Sequence, residues 1–181
     1  MKSARERIVR SAMHCFGEKG YAATTIADIE RGAGLSPGAG GTYRHFRSKR
    51  AILEAVVDAI VAAPDSELAP EGDDLRSIAH SSLDYMHADL VRMFFRDLSD
   101  FPEQRDRIVD RLVTGPYRIV ADRIRVINPK VDAEAIAAIM LGALINFRVI
   151  EALVGNDRNG VDRHRFIDSW VELYRLRLER P

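Results

Sequence analysis

The stretch Ala23–Phe46, ATTIADIERGAGLSPGAGGTYRHF, followed by Arg47-Ser48-Lys49, decides how this chain is read. Thr25 predicts a helix N-cap, and Asp28 three residues later completes an acidic form of the capping box. Ile26, Ile29 and Ala33 then recur at helical spacing, which leaves Asp28, Glu30 and Arg31 on the opposite, wet face. Gly34 stops that helix, because glycine alone turns there without steric cost. Ser36-Pro37 predicts a restart: serine caps, and proline at a first helical position loses no hydrogen bond. Two short helices about a glycine turn make a helix-turn-helix, whose second helix can lie in the major groove of DNA.

The charge distribution is independent of that motif and agrees with it. The 181 residues carry 27 Lys+Arg and 27 Asp+Glu, so the net charge is zero. Residues 1–50 hold 10 basic against 4 acidic side chains, a balance of +6, and the remainder holds 17 against 23, a balance of −6. A basic end that coincides with the helix-turn-helix is the electrostatic footprint expected of phosphate binding.

Gly20–Ala23 with Thr24-Thr25, then Ala33-Gly34-Leu35-Ser36, then Tyr43–Phe46 with Ser48-Lys49, follow one another in an order that resembles the DNA-binding domain of the TetR family of bacterial transcriptional repressors. The resemblance covers roughly the first third of the chain and is specific as a set. It implies an all-α homodimer with an N-terminal helix-turn-helix domain and a helical ligand-binding and dimerisation domain. The six residues PGAGGT between Ser36 and Tyr43 are longer than the commonest pattern of that family. Three glycines there cost about 1 kcal/mol each against alanine in a helix, so the segment is expected to offer bare backbone to DNA. Thr25, Tyr43, His45 and Lys49 are the expected phosphate contacts. Thr42 and Arg44, with the backbone of Pro37, Gly38, Ala39, Gly40 and Gly41, are the expected contacts to base edges.

The rest of the sequence reads as helices. Arg5–Glu18 packs Ile8, Ala12, Cys15 and Phe16 on one face, which makes the only cysteine a core residue and fits a reducing cytoplasm. Lys49–Ala63 is a further helix, and the Pro-, Ala- and acid-rich Ala62–Gly72 is the expected linker, with a boundary near Pro64 between domains 1–63 and 64–181. Asp73 or Asp74 caps a helix to about Ala88, and Leu90–Leu98 is a short one. Glu103–Ile127 is long and amphipathic with Gly115-Pro116 in its middle, where the proline should kink it. Asp132–Val154 is apolar nearly all round and Asp162–Leu178 almost as much, so both need covering on two sides. Self-association through Leu141, Ile145, Trp170 and Tyr174 follows as the expectation.

An effector cavity is expected from Tyr85, Met86, Phe94, Tyr117, Met140, Leu144 and Phe147, with Asn146 or His87 to orient a polar group. Such a lining suits a small, largely apolar or aromatic molecule. His80, Asp84 and His87 share a helix face, but no fourth ligand accompanies them and no metal is expected. No catalytic triad, Cys–His pair or phosphate-binding G-x-x-x-x-G-K-S/T loop is present, so neither enzymatic activity nor a cofactor is expected. Met1–Arg7 runs into a helix without a signal peptide, and the apolar run Ala135–Phe147 is too short for a bilayer. The expected function is a ligand-responsive regulator, a repressor working as a homodimer on an inverted-repeat operator in double-stranded DNA. The alternative is a helical ligand-binding or scaffold protein whose helix-turn-helix only packs helices.

Overall fold

The computed structural model describes residues 3–63, 74–155 and 160–178. Among these residues every regular element is helical: α1 (Ala4–Lys19), α2 (Ile26–Gly32), α3 (Lys49–Val61), α4 (Leu75–Tyr85), α5 (Ala88–Arg96), α6 (Pro102–Val109), α7 (Gly115–Ile127), α8 (Ala133–Val154) and α9 (Arg163–Leu178). Single turns of 3-10 helix cover Thr42–Arg44 and Leu98–Asp100, and a π-helical turn covers Asp110–Thr114. The all-α expectation is met. The chain divides into two compact units, the first made of its described residues up to 63 together with Ala88–Ile108, the second of the rest. A single cut after residue 63 therefore does not describe it, since α5 and most of α6 pack with the first unit. Pro64 and most of the expected linker lie outside the described residues.

In the first unit, Ser3 and Glu6 form a reciprocal capping box at the start of α1. Ile8, Ala12, Cys15 and Phe16 are buried along one face of that helix, as their spacing predicts. Ser11 donates to the Ile29 carbonyl and Arg7 to that of Ala33, which fixes α2 across α1. Ser48 caps α3 by accepting from the Ala51 N–H. The C-terminal half of α1 forms a seat for α5. A Cβ on Gly17 would lie 2.5 Å from the Asp89 Cα, so only glycine lets the two backbones come this close. Arg96 donates to the Phe16 and Gly17 carbonyls at the negative end of the α1 dipole, and Arg92 pairs with Glu18.

In the second unit Asp74 caps α4, accepting from the Arg76 and Ser77 N–H groups. The long helix expected over Glu103–Ile127 runs from Pro102 to Ile127, with a π-helical turn over Asp110–Thr114 in its middle. Pro116 cannot donate to the helical ladder, and the turn before it widens so that the Gly115 N–H reaches the Asp110 carbonyl five residues back. Ile136, Met140 and Leu144 of α8 pack with Leu83 of α4, Ile124 of α7 and Trp170 of α9. The indole N–H of Trp170 donates to the Met140 carbonyl at 3.0 Å. Over its full 22 residues α8 is long and apolar enough to cross a membrane by length and composition, which the shorter run considered in the sequence did not suggest. One of its faces belongs to this core.

Gly17→Ala should force α5 off its seat and lower stability by about 1–3 kcal/mol, the usual cost of overpacking a well-filled contact. Chemical denaturation of the purified chain measures it, and an unchanged midpoint would show that α5 yields without cost.

Candidate nucleic-acid interface

Thr25 and Asp28 form the capping box foreseen in the sequence. The Thr25 N–H donates to Asp28 Oδ2, the Thr25 hydroxyl accepts from the Asp28 N–H, and the same hydroxyl donates to Oδ2. The Lys19 ammonium, and after it the bonds from Thr25, hold the Asp28 carboxyl well below the usual carboxylate range. Gly34, at φ +69°, turns the chain out of α2. The Leu35 N–H returns to the Glu30 carbonyl and the Gly34 N–H to that of Arg31, a complete Schellman closure.

Two expectations for the next segment fail for one reason. Glu30 is not on the wet face but 1% exposed, and its carboxylate reaches into the loop that follows. Its Oε2 accepts from the Gly38 N–H at 2.8 Å and its Oε1 from the Thr42 N–H at 3.3 Å. Both bonds favour the ionised form and hold the pKa below its ordinary value. With those two N–H groups turned inward and Gly38 and Gly40 at φ +80° and +71°, residues 36–41 cannot be helical. The second helix therefore does not begin at Ser36-Pro37. Ser36 accepts from the Ala39 N–H in a turn, and only Thr42–Arg44 completes a helical turn. A Cβ at Gly38 or Gly40 would meet no atom within 4 Å, so backbone conformation, not space, demands glycine there.

Around this loop the expected contact residues separate into two groups. Pro37, Gly38 and Ala39 are exposed and Gly40 and Gly41 partly so; Tyr43 is 60% exposed, and Arg44, His45 and Arg47 reach solvent. Arg44 and Arg47 form no ion pair among the described residues, whereas Lys19 and Arg31 both pair with Asp28. Arg47 was not among the expected contacts, although its place in the basic exit was a signal. Thr42, expected at base edges, is fully buried. Lys49, expected on a phosphate, instead donates to the carbonyls of Tyr21, Ala22 and Thr24 at 2.7, 3.2 and 2.9 Å and lies 4.6 Å from the centre of the Tyr21 ring. An ammonium has three protons, and all three are engaged within the protein. Thr42 and Lys49 are thus engaged within the protein beneath this surface.

The residues expected in the second half are also rearranged. Met140 and Leu144 are buried in the core, with Tyr117 packed against it. Tyr85 and Met86 are partly buried, and Phe94 belongs to the first unit, where it meets Phe95 edge-to-face. The seven do not line one cavity. Phe147 alone among them borders a pocket of about 270 Å³, formed by the C-terminal half of α8 and the start of α9. Leu141, Trp170 and Tyr174, expected at a dimer interface, are buried in their own chain, Trp170 to 4% exposure, and Ile145 is partly buried. On these two helices the large apolar side chains left exposed are Ile139 (63%), Leu153 and Val154 on α8 and Leu173 (61%) and Leu176 on α9. Of the His80, Asp84 and His87 set, Asp84 pairs with Arg163.

With this geometry in place, the likeness to known proteins is consistent throughout. Residues 8–56 match the family model described as bacterial regulatory proteins, tetR family. The uncharacterized HTH-type transcriptional regulator YerO of Bacillus subtilis is 29% identical over 109 residues, covering 60% of this chain and 35% of that protein. The HTH-type transcriptional regulator TtgR of Pseudomonas putida is 36% identical over 59 residues, 33% of this chain and 27% of that one. The matches thus span about a third or less of these relatives' lengths. The whole fold is shared with a transcriptional regulator from Aquifex aeolicus (TM-score 0.70, 22% identity, 96% of this chain and 99% of that one). It is shared equally with a TetR-like regulator from Rhodococcus (TM-score 0.71, 18% identity, 99% and 100%). Residues 8–56 match the N-terminal domain of the tetR family of bacterial regulatory proteins, and the fold is shared with solved transcriptional regulators.

Proposed function

We propose that this chain is a transcriptional repressor that binds an inverted-repeat operator as a homodimer and is released by a small, largely apolar effector. The observation that carries the reading is the surface around Pro37–Arg47. Arg44 and Arg47 form no ion pair among the described residues, while the loop beneath them is held by a buried carboxylate. A helix-turn-helix that only packed helices would not need exposed, unpaired cations there. Tyr43, His45 and Arg47 contact phosphates in this reading, and Arg44 with the Gly38–Gly41 backbone reads base edges. A second copy covers the outer faces of α8 and α9 at Ile139, Leu153, Leu173 and Leu176, since exposed apolar area of this kind marks an interface. Two recognition segments roughly 34–36 Å apart then meet successive major grooves.

Selection of bound sequences from random duplex DNA by the full chain tests the reading, which expects an inverted repeat. Failure to enrich any sequence would refute it. Arg47→Ala should weaken binding to all sequences and flatten the plot of log affinity against log salt by about one unit. Lys49→Ala should instead destabilise the first unit and leave that slope unchanged.

Glu30 supplies a pH dependence of known sign. Its pKa is lower in the folded chain than its ordinary value, so its stabilising contribution is whole above about pH 4.5 and is lost as pH falls through the folded value. Glu30→Gln, which cannot accept both N–H groups as an anion does, should weaken operator binding by about tenfold and remove this acid-side loss of stability. Parallel melting curves from pH 3 to 7 for both proteins, roughly spanning that titration range, would show it.

Leu173→Asp places a charge on the proposed interface and should yield monomers in sedimentation equilibrium. A dimer that survives it would move the interface to another face.

A further inference from the structure

The pocket between α8 and α9 opens onto an ion cluster whose other end holds the last turn of α4. Glu151, with its side chain only 10% exposed, accepts a two-pronged contact from Arg163, Nε to Oε1 at 3.2 Å and Nη2 to Oε2 at 2.8 Å. Arg148 donates to the same Oε2 at 2.8 Å and, through Nε, to the Met86 carbonyl at 2.6 Å. Arg163 also reaches Asp84 Oδ1. Two arginines thus tie the end of α4, at Asp84 and Met86, to α8 and α9. Met86 is the C-cap of α4, and after His87 the chain passes into α5 of the first unit.

Asn146, Phe147, Ile150 and Phe166 line the pocket beside Glu151 and Arg163. Phe147 and Phe166 stack with ring centres 4.1 Å apart. The volume of about 270 Å³ is at the small end of ligand-sized clefts and suits a molecule of one or two rings. The four charges Asp84, Arg148, Glu151 and Arg163 sum to zero, so an ionic ligand enters only by exchanging with a group already paired. A cation would have to displace an arginine from the buried Glu151, leaving a guanidinium unpaired at heavy desolvation cost. An anion has an easier exchange. The Asp84 side chain is 66% exposed, and an ion pair that solvated is weak and readily rehydrated.

We propose that this pocket is the effector site and that it takes a small aryl carboxylate, whose carboxylate replaces Asp84 on Arg163. The ring lies against Phe147, Ile150 and Phe166, and Asn146 offers its amide to the rim. Binding frees Asp84 and leaves the Arg148–Met86 bond as the remaining tie on the end of α4, shortly before the chain passes into α5 of the first unit. The regulatory half of this proposal rests on the repressor reading; the binding half does not.

The probe is 2-naphthoate, with uncharged 2-naphthamide as its control, titrated by calorimetry against the full chain. The carboxylate should bind at least about tenfold more tightly than the amide. Ile150→Trp, which fills the pocket and leaves the ion cluster intact, should abolish binding. Asp84→Ala removes the competing carboxylate and should tighten 2-naphthoate severalfold, a gain that a merely structural Asp84 would not produce. Equal affinity for acid and amide, binding retained in Ile150→Trp, or no gain in Asp84→Ala would each overturn the site. Saturating 2-naphthoate should weaken binding of the selected operator, and unchanged operator affinity would overturn its regulatory role. A chain that enriches no DNA would refute the repressor reading alone, while the titrations still judge the pocket.

Discussion

The exposed surface of the first unit depends on a carboxylate that solvent never sees. Glu30 sits at the end of α2 and accepts the N–H groups of Gly38 and Thr42, so one side chain spans the whole glycine loop. A run of small residues without internal packing has many conformations of similar energy, and ordering it costs backbone entropy at each glycine. The buried anion selects among them before any partner arrives. Its ionised form is stabilised by the same two bonds that shape the loop, so charge and conformation are one property here. Lys49 performs the complementary task a few residues on, gathering the carbonyls of Tyr21, Ala22 and Thr24 beneath the start of α3.

What the sequence made legible was local. Thr25 with Asp28, Gly34 and Asp74 act through bonds to near neighbours in the chain, and the structure has each of them as the sequence predicts. The widened turn ahead of Pro116 is local for the same reason. The errors arose where the deciding partner was distant in sequence. Glu30 sits at a position that periodicity assigns to water, yet its acceptors are matched by donors eight and twelve residues away. Lys49 belongs to a basic exit, yet its partners lie 25 to 28 residues earlier. Net charge and spacing report which side chains are present, not which are already engaged.

The same limit governed the second unit. Both α8 and α9 read as apolar all round, and the sequence alone could not say which face meets the protein's own core. Trp170 and Leu141 turn inward, and Ile139 and Leu173 outward, because α4 and α7 cover one side only. Large aromatic residues bury the most area and take the interior first; Ile139 and Leu173 stay exposed. The Met and aromatic set likewise filled space where a cavity was expected, as close packing of interiors generally requires.

The seat for α5 has a consequence for how the chain can be cut and joined. Because Ala88–Ile108 packs within the first unit, that unit is discontinuous in sequence and is interrupted by residues of the second. A fragment ending after α3 would leave Gly17 and the Phe16 carbonyl facing water, and α1 would lack the guanidinium of Arg96 at its C-terminal end. During synthesis the unit closes only when residue 108 has emerged, so α1–α3 wait unshielded until the chain has grown from residue 61 to residue 108. A graft that exchanges the second unit between relatives has to carry α5 with the N-terminal helices, and the natural joint is a pair of seams flanking Ala88–Ile108 in addition to the one after α3.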